Sequence, residues 1–149
     1  MAASVTRERI GFIGLGVLGS AIVPHLVADG YQLTGCDIDA ARVDALGIAP
    51  AGSPRALATA SDVVILCLPT VEALHEVVSG PDGLDKSVRA GQIVLEIGTF
   101  PIAEKEHARE RLAAAGAILL DCPVSGNRIH AQDRKSTRLN SSHSSVSRM

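Results

Sequence analysis

Three glycines with the spacing G-x-G-x-x-G, at Gly14, Gly16 and Gly19, are the residues of this chain best suited to bind an anion. An apolar run precedes them, and residues with helical spacing follow from Val17. In such a strand–turn–helix unit the glycines permit a tight turn, close approach of a pyrophosphate and close packing of helix on strand. The helix N-terminus adds unpaired N–H groups and about half a positive charge. The sequence therefore predicts a dinucleotide site formed by Gly14, Leu15, Gly16, Val17, Leu18 and Gly19.

A carboxylate follows this turn at the distance that a dinucleotide site requires. The segment 32–36 is a predicted second strand, and Asp37 ends it about twenty residues after the glycines, where an acidic side chain can accept ribose hydroxyl protons. Each such charge-assisted bond contributes about 1.5–3 kcal/mol. The alternative is that Asp37 only caps the next helix. Asp39 is better placed as the N-cap of a helix over 40–46, so we favour the ribose role.

Asp37 also bears on the choice between NAD and NADP. At about 4 Å and an effective dielectric constant near 20, its carboxylate and each charge of a 2′-phosphate repel by roughly 4 kcal/mol. Ile38 cannot offset that repulsion, whereas Arg42, one helical turn further on, could do so. We therefore predict NAD as the cofactor and keep NADP as the alternative.

Composition limits the class of protein. The 149 residues have a formal net charge of −2, and a chain of this length forms one domain. The slightly negative charge argues against a nucleic-acid partner, and no apolar run approaches the length of a membrane span. Residues 1–7 lack the apolar stretch of a secretory signal, so we expect a cytoplasmic location. Three cysteines without C-x-x-C spacing favour reduced thiols, and five histidines without ligand spacing predict no metal site.

Strand and helix signals alternate along the chain. Ser53 and Pro54 are a strong helix start, and the apolar run 63–68 lacks alternation, as in a strand covered on both faces. Further strands are predicted at 48–49, 92–97 and 117–121, and further helices at 71–78 and 101–115. This order predicts an α/β fold with a doubly wound parallel sheet of the Rossmann type. The segments 68–70, 98–100 and 122–126 follow strand ends, so we expect them on the ligand side of the sheet.

Four segments together resemble one family, the β-hydroxyacid dehydrogenases, which include 3-hydroxyisobutyrate dehydrogenase and tartronate semialdehyde reductase. They are Gly-Phe-Ile-Gly-Leu-Gly at 11–16, Cys-Leu-Pro at 67–69, Glu-Ile-Gly-Thr at 96–99 and Asp-Cys-Pro-Val-Ser-Gly at 121–126. The resemblance covers residues from about 9 to 132. It implies transfer of a hydride between NAD(P) and a β-hydroxyacid or its semialdehyde, in a parent protein that is a homo-oligomer. The alternatives are a non-catalytic dinucleotide-binding module and a related reductase of imines or phosphorylated sugar acids.

The resemblance also implies roles for single residues. The nicotinamide half of the cofactor is expected to contact Leu68, Pro69 and Thr99, unless Thr99 is only a helix N-terminal residue. The substrate carboxylate is expected to bind Ser125, Gly126 and Asn127, unless this segment is a plain turn. The chain departs from the family at Gly98, where the family usually has serine, and at Asn127, where it has a second glycine. His130 lies close to the expected substrate position, although a loop histidine exposed to solvent is the simpler interpretation.

The segment after residue 132 differs in character from the rest. Residues 1–132 carry a net charge of −5, whereas residues 133–149 carry +3, are rich in serine and have no hydrophobic periodicity. The string 134–143 resembles the translation of a sequencing adapter, so we expect a disordered, artefactual tail in place of the family's all-helical second domain. A genuine basic tail for an anionic partner is the alternative. The family's catalytic lysine follows the first domain, and Lys86, Lys105 and Lys135 do not match it, so we expect no catalytic residue here.

Overall fold

The computed structural model describes residues 7–124. Within them, strands and helices alternate from end to end, as the sequence predicts. The elements are β1 Arg9–Ile13, α1 Val17–Ala28, β2 Gln32–Cys36, α2 Ala40–Leu46, β3 Ala49–Pro50, α3 Pro54–Thr59, β4 Val63–Leu66, α4 Val71–Ser79, β5 Ile93–Glu96, α5 Ile102–Ala114 and β6 Ile118–Asp121, with a short 3-10 helix at Leu84–Lys86.

All six strands of this part of the chain form one parallel sheet in the order β3-β2-β1-β4-β5-β6. The chain therefore winds outward from β1 in one direction and then from β4 in the other. This order confirms the predicted doubly wound Rossmann fold. It also creates a crevice at the carboxyl ends of β1 and β4, where the winding direction reverses and where such folds bind ligands.

The helices begin and end at residues that the sequence marks. The Asp39 side chain accepts a hydrogen bond from the N–H of Ala41, and the Ser53 hydroxyl accepts one from Ala56, at 3.0 and 3.1 Å. Gly47 ends α2 in the left-handed conformation, with φ of 66°. These local signals predict the helix bounds well because each cap satisfies an N–H or C=O group that the helix itself leaves unpaired.

Two apolar clusters hold the helices against the sheet. Phe12 and Ile13 are neighbours on β1, yet they belong to different clusters, because successive strand residues point to opposite faces. Helices α1 and α2 pack on the Phe12 face, and α3, α4 and α5 pack on the other face. None of the helices between residues 7 and 124 has the length and apolar content that crossing a membrane requires.

Candidate functional site

A cavity of about 470 Å³ lies at the carboxyl ends of β1, β4 and β5. Of the ten residues predicted to contact the cofactor, Leu15 is the one that does not line it. Leu15 is buried, at 1% exposure, and its backbone N–H donates a hydrogen bond to Asp37, which does line the cavity. The fold thus brings together, around one opening, Gly14, Gly16, Val17, Leu18, Gly19, Asp37, Leu68, Pro69 and Thr99.

Glycine suits positions 14, 16 and 19 for different structural reasons. Gly14 has φ of +95°, and a Cβ there would lie 2.1 Å from the carbonyl oxygen of Cys67. A Cβ on Gly19 would lie 2.3 Å from the carbonyl oxygen of Gly14. A Cβ on Gly16, in contrast, would meet no heavy atom within 4 Å, although Gly16 lines the cavity. Packing therefore explains Gly14 and Gly19, whereas the free space at Gly16 suits close approach of a ligand.

The N-terminus of α1 opens into this free space. Gly16 is its N-cap and supplies no side-chain hydrogen bond, and the first turn of the helix contains no acidic side chain. The first N–H groups of a helix have no partner inside the helix, so here they can donate to a ligand. With the positive end of the helix dipole, they form a site that fits the pyrophosphate of a dinucleotide.

Asp37 has a second role that the sequence does not reveal. Its carboxylate accepts hydrogen bonds from the N–H of Leu15 at 2.7 Å and from the N–H of Asp39 at 2.8 Å. Only 5% of its side chain is exposed, and the Arg42 guanidinium lies 3.6 Å from Oδ1. Asp39 is the N-cap of α2, so the hypothesis that Asp37 is merely that cap is wrong. Asp37 instead anchors the glycine turn to the end of β2.

A second cavity, of about 370 Å³, continues past Asp37 toward α3 and α4. It is lined on its far side by residues such as Pro54 and Ala73, and it shares Gly14, Asp37 and Leu68 with the first cavity. The two cavities therefore form one cleft across the edge of the sheet, with the glycine turn in its middle. Such a cleft suits a long ligand whose two halves are joined by a central anion.

The other half of the cleft lies beyond the ends of β4 and β5. Thr99 lines it and precedes α5, whose N-cap is Pro101, so Thr99 is not the first residue of that helix. Five further lining residues lie outside the ten predicted contacts: Arg42, Cys67, Ile97, Gly98 and Val124. Gly98 and Val124 belong to the segments 98–100 and 122–126 that are expected on the ligand side, whereas Cys67 and Ile97, which directly follow β4 and β5, are missed although they carry the same signal. Burial, with a smaller contribution from the charge of Glu96, raises the pKa of the Cys67 thiol to about 11.

Several predicted site residues are elsewhere. The substrate-contacting residues Ser125, Gly126 and Asn127, and also His130, lie outside the described residues. Lys86 pairs with Asp85 within the 3-10 helix, and Lys105 is buried at the end of β5; neither lysine lines the cleft. Among residues 7–124 no group of three or more His, Cys, Asp or Glu side chains is arranged to hold a metal ion.

Comparison with known proteins agrees with this geometry. The chain is 36% identical over 125 residues to the mitochondrial 3-hydroxyisobutyrate dehydrogenase of Rattus norvegicus, which covers 81% of the chain and 37% of that protein. It resembles the structure of Psf3 in complex with NADP+ and 2-OPP, with a TM-score of 0.79, 31% identity, and coverage of 83% and 45% of the two chains. It also resembles an imine reductase of Streptomyces aurantiacus, with a TM-score of 0.71, 26% identity, and coverage of 81% and 42%.

The chain thus spans less than half of the length of these relatives. Residues 9–148 match the family model described as the NAD binding domain of 6-phosphogluconate dehydrogenase. This match runs past residue 132, so the boundary expected there stays a prediction. Because this match covers nearly the whole chain, the chain belongs to this family of NAD binding domains.

Proposed function

We propose that this chain is the cofactor-binding part of an oxidoreductase that transfers a hydride between NAD(P) and a β-hydroxyacid or its semialdehyde. The observation that carries the proposal is the glycine turn, whose Gly16 faces free space at the N-terminus of α1. The 36% identity to a 3-hydroxyisobutyrate dehydrogenase supports the substrate class. The bound cofactor would supply the chemistry of hydride transfer, and the protein would supply binding and orientation.

Each part of the cleft has a place in this proposal. The first N–H groups of α1 hold the pyrophosphate, and Asp37 holds the adenosine ribose. A carboxylate has about four lone-pair sites, and backbone donors occupy two of those on Asp37, which leaves acceptor capacity for ribose hydroxyls. Leu68, Pro69 and Thr99 then lie on the other side of the turn, against the nicotinamide. Ser125, Gly126 and Asn127 would bind the carboxylate of the substrate.

The first test is a fluorescence titration of the chain with NADH, combined with a turnover assay. We expect binding below millimolar NADH and no measurable turnover of 3-hydroxyacids, because no lysine of the described residues lines the cleft. A positioned proton-transfer group typically contributes a hundred- to ten-thousand-fold in rate. Absence of binding at millimolar NADH would overturn the cofactor role. Turnover of a hydroxyacid would overturn the expectation that this chain is inactive.

The second test concerns NAD and NADP. We propose that NAD is preferred, because the Asp37 carboxylate would repel a 2′-phosphate by up to roughly 4 kcal/mol per charge pair, although Arg42 reduces this figure. Asp37→Ala removes the repulsion and also loosens the glycine turn, so affinity for both cofactors falls. The informative quantity is therefore the ratio of their dissociation constants. We expect this ratio to move toward NADP by at least about tenfold, or about 1.4 kcal/mol.

A matched control removes a carboxylate that has no contact with the cleft. Asp44→Ala changes an exposed residue of α2 and should leave both affinities and their ratio unchanged. An unchanged ratio in Asp37→Ala would contradict the ribose role. An equal shift in Asp44→Ala would show that net charge, and not the position of Asp37, sets the preference.

The second candidate is a non-catalytic dinucleotide-binding module. The positions of Lys86 and Lys105 away from the cleft favour it for the chain as it stands. The two candidates differ in the segment that each requires after residue 132. An uninterrupted reading frame that encodes a helix with lysine and asparagine on one face, followed by a helical domain, would support the enzyme. Continuation with the basic, serine-rich segment alone would support the module.

A further inference from the structure

Three charged side chains form a cluster beneath the wall of the cleft at the end of β5. Glu96 is fully buried, Lys105 of α5 is 9% exposed, and Asp121 ends the neighbouring strand β6. The Lys105 ammonium lies 2.9 Å from Glu96 Oε2, in an ion pair without the direction of a hydrogen bond, and it donates a hydrogen bond to Asp121. Burial alone would lower the pKa of Lys105, but its hydrogen bond to Asp121 and the negative charges of Glu96 and Asp121 raise it. The ammonium is therefore charged at neutral pH.

This cluster binds both backbone polar groups of Gly98. Glu96 Oε1 accepts a hydrogen bond from the Gly98 N–H at 2.7 Å, and Lys105 Nζ donates one to the Gly98 carbonyl oxygen at 2.8 Å. Gly98 and the adjacent Ile97 and Thr99 all line the cleft. The buried charges are thus one residue away from the surface that a ligand would contact.

The same contacts give a reason for glycine at position 98. A Cβ there would lie 2.8 Å from Glu96 Oε1 and 3.0 Å from Phe100 Cε2. The Glu96 carboxylate, held in place by Lys105, occupies the space that a side chain at 98 would need. The serine that is usual at position 98 in the β-hydroxyacid dehydrogenases would therefore disturb the contact between Glu96 and the N–H of residue 98.

Folding stability is a poor explanation for such a cluster. Buried ion pairs cost much desolvation, and replacing both partners by apolar residues of similar size is often neutral or stabilising. Yet this ion pair shares its hydrogen-bonding groups with one backbone segment of the cleft. That arrangement suits a role in fixing the segment.

We propose that Glu96 and Lys105 are positioning residues that hold Gly98 and Thr99 in the geometry needed to bind the nicotinamide half of the dinucleotide. This proposal rests on the proposed function. We assign the nicotinamide half of the dinucleotide to this part of the cleft because β5 lies beyond β4, on the side of the glycine turn opposite to Asp37. Loss of the two charges should therefore weaken binding of the whole dinucleotide and not of its ADP-ribose part.

The test uses the double variant Glu96→Leu/Lys105→Met of the full chain. Removing both charges leaves no uncompensated buried ion, and Asp121 is exposed to solvent, so the variant should lose little stability beyond its two hydrogen bonds to Gly98. Dissociation constants for NADH and for ADP-ribose are measured by calorimetry. We expect NADH to bind at least about fivefold more weakly, with ADP-ribose within about twofold of the wild-type value. Arg109→Met, on the exposed side of α5, is the matched control and should change neither.

Each result of this test either supports or overturns the positioning role of Glu96 and Lys105. Unchanged NADH affinity in the double variant overturns the positioning role, and so does an equal loss for both ligands, which indicates a general structural effect. If the wild type binds neither ligand, the proposed function fails and this inference fails with it. If the double variant does not fold, Glu96→Gln replaces it, since it keeps the acceptor for Gly98 and removes the charge that holds Lys105. A smaller loss confined to NADH supports the proposal, and an unchanged affinity refutes it.

Discussion

The glycine turn allows stability and ligand binding to be separated with single substitutions. Gly14→Ala places a Cβ at φ of +95° and 2.1 Å from the Cys67 carbonyl oxygen. Strain at such a φ costs about 1–3 kcal/mol, and forcing an atom into packed surroundings costs about 1–3 kcal/mol more. The expected loss is therefore about 2–6 kcal/mol of the free energy of unfolding, which lowers Tm by roughly 5–20 °C in a chain of this size.

Gly16→Ala should behave in the opposite way. Its backbone is extended, with φ of −73°, and its Cβ meets no heavy atom within 4 Å. The loss of glycine at the N-cap costs about 1 kcal/mol or less. The added methyl group instead takes space at the N-terminus of α1, where a phosphate would approach. Losing one hydrogen bond to a charged group costs about 1.5–3 kcal/mol, so NADH should bind roughly 10- to 100-fold more weakly.

Thermal unfolding and NADH titration of both variants test this contrast. Gly47→Ala is the matched control for backbone strain, because Gly47 also has a positive φ, of 66°, but an added Cβ there meets nothing within 4 Å. It should lose less stability than Gly14→Ala and bind NADH normally. Wild-type affinity in Gly16→Ala would refute the placement of the phosphate. Equal stability of Gly14→Ala and Gly47→Ala would refute the argument from the Cys67 contact.

Three further predictions concern other parts of the chain. Hydrogen bonds from Arg9 lower the pKa of Asp62 to about 2, below its ordinary 3.8. The wild type should therefore be more stable than Asp62→Asn by a constant amount near neutral pH, and this difference should shrink as the pH falls from about 4 to 2. Urea unfolding at each pH measures the difference, and a difference that stays constant would contradict the pairing. Iodoacetamide at pH 8 should alkylate the exposed Cys122 well before Cys67, because burial raises the pKa of the Cys67 thiol to about 11 and keeps it protonated. Peptide mapping that finds equal alkylation rates would refute this. Deletion of residues 133–149 should leave NADH affinity within about twofold, whereas a tenfold loss would contradict the domain boundary.

Much of the fold can be predicted because its signals are local. Asp39, Ser53 and Gly47 mark helix ends within a few residues of the bonds they make. The strand ends are harder. The apolar run predicts a strand through residue 68, yet β4 ends at Leu66, because Cys67 and Leu68 are apolar for another reason: they line the cleft. Apolar character reports burial, and it does not distinguish a strand from a cavity wall.

The charge cluster shows what sequence patterns cannot reveal. Glu96, Lys105 and Asp121 are separated by 9 and 16 positions and belong to three different elements, so no local spacing signals that they meet. Glycine at position 98 is visible in the sequence as a departure from the family, but its cause is not. The cause is a carboxylate two residues away that turns back onto the Gly98 N–H. Contacts of this kind depend on how helix, strand and loop pack.

Asp37 has two roles, of which the sequence indicates only the one toward the ribose. In the proposed function its carboxylate binds a ribose, and in the structure it also accepts the Leu15 N–H and therefore anchors the glycine turn. A substitution that removes both this charge and the acceptor oxygen, such as Asp37→Ala, also removes an anchor of the glycine turn. In the proposed function, cofactor preference and turn geometry are thus coupled through one side chain. Conversion to NADP would need a residue that accepts the Leu15 N–H without a negative charge, and Asp37→Asn should retain more affinity for NADP than Asp37→Ala does.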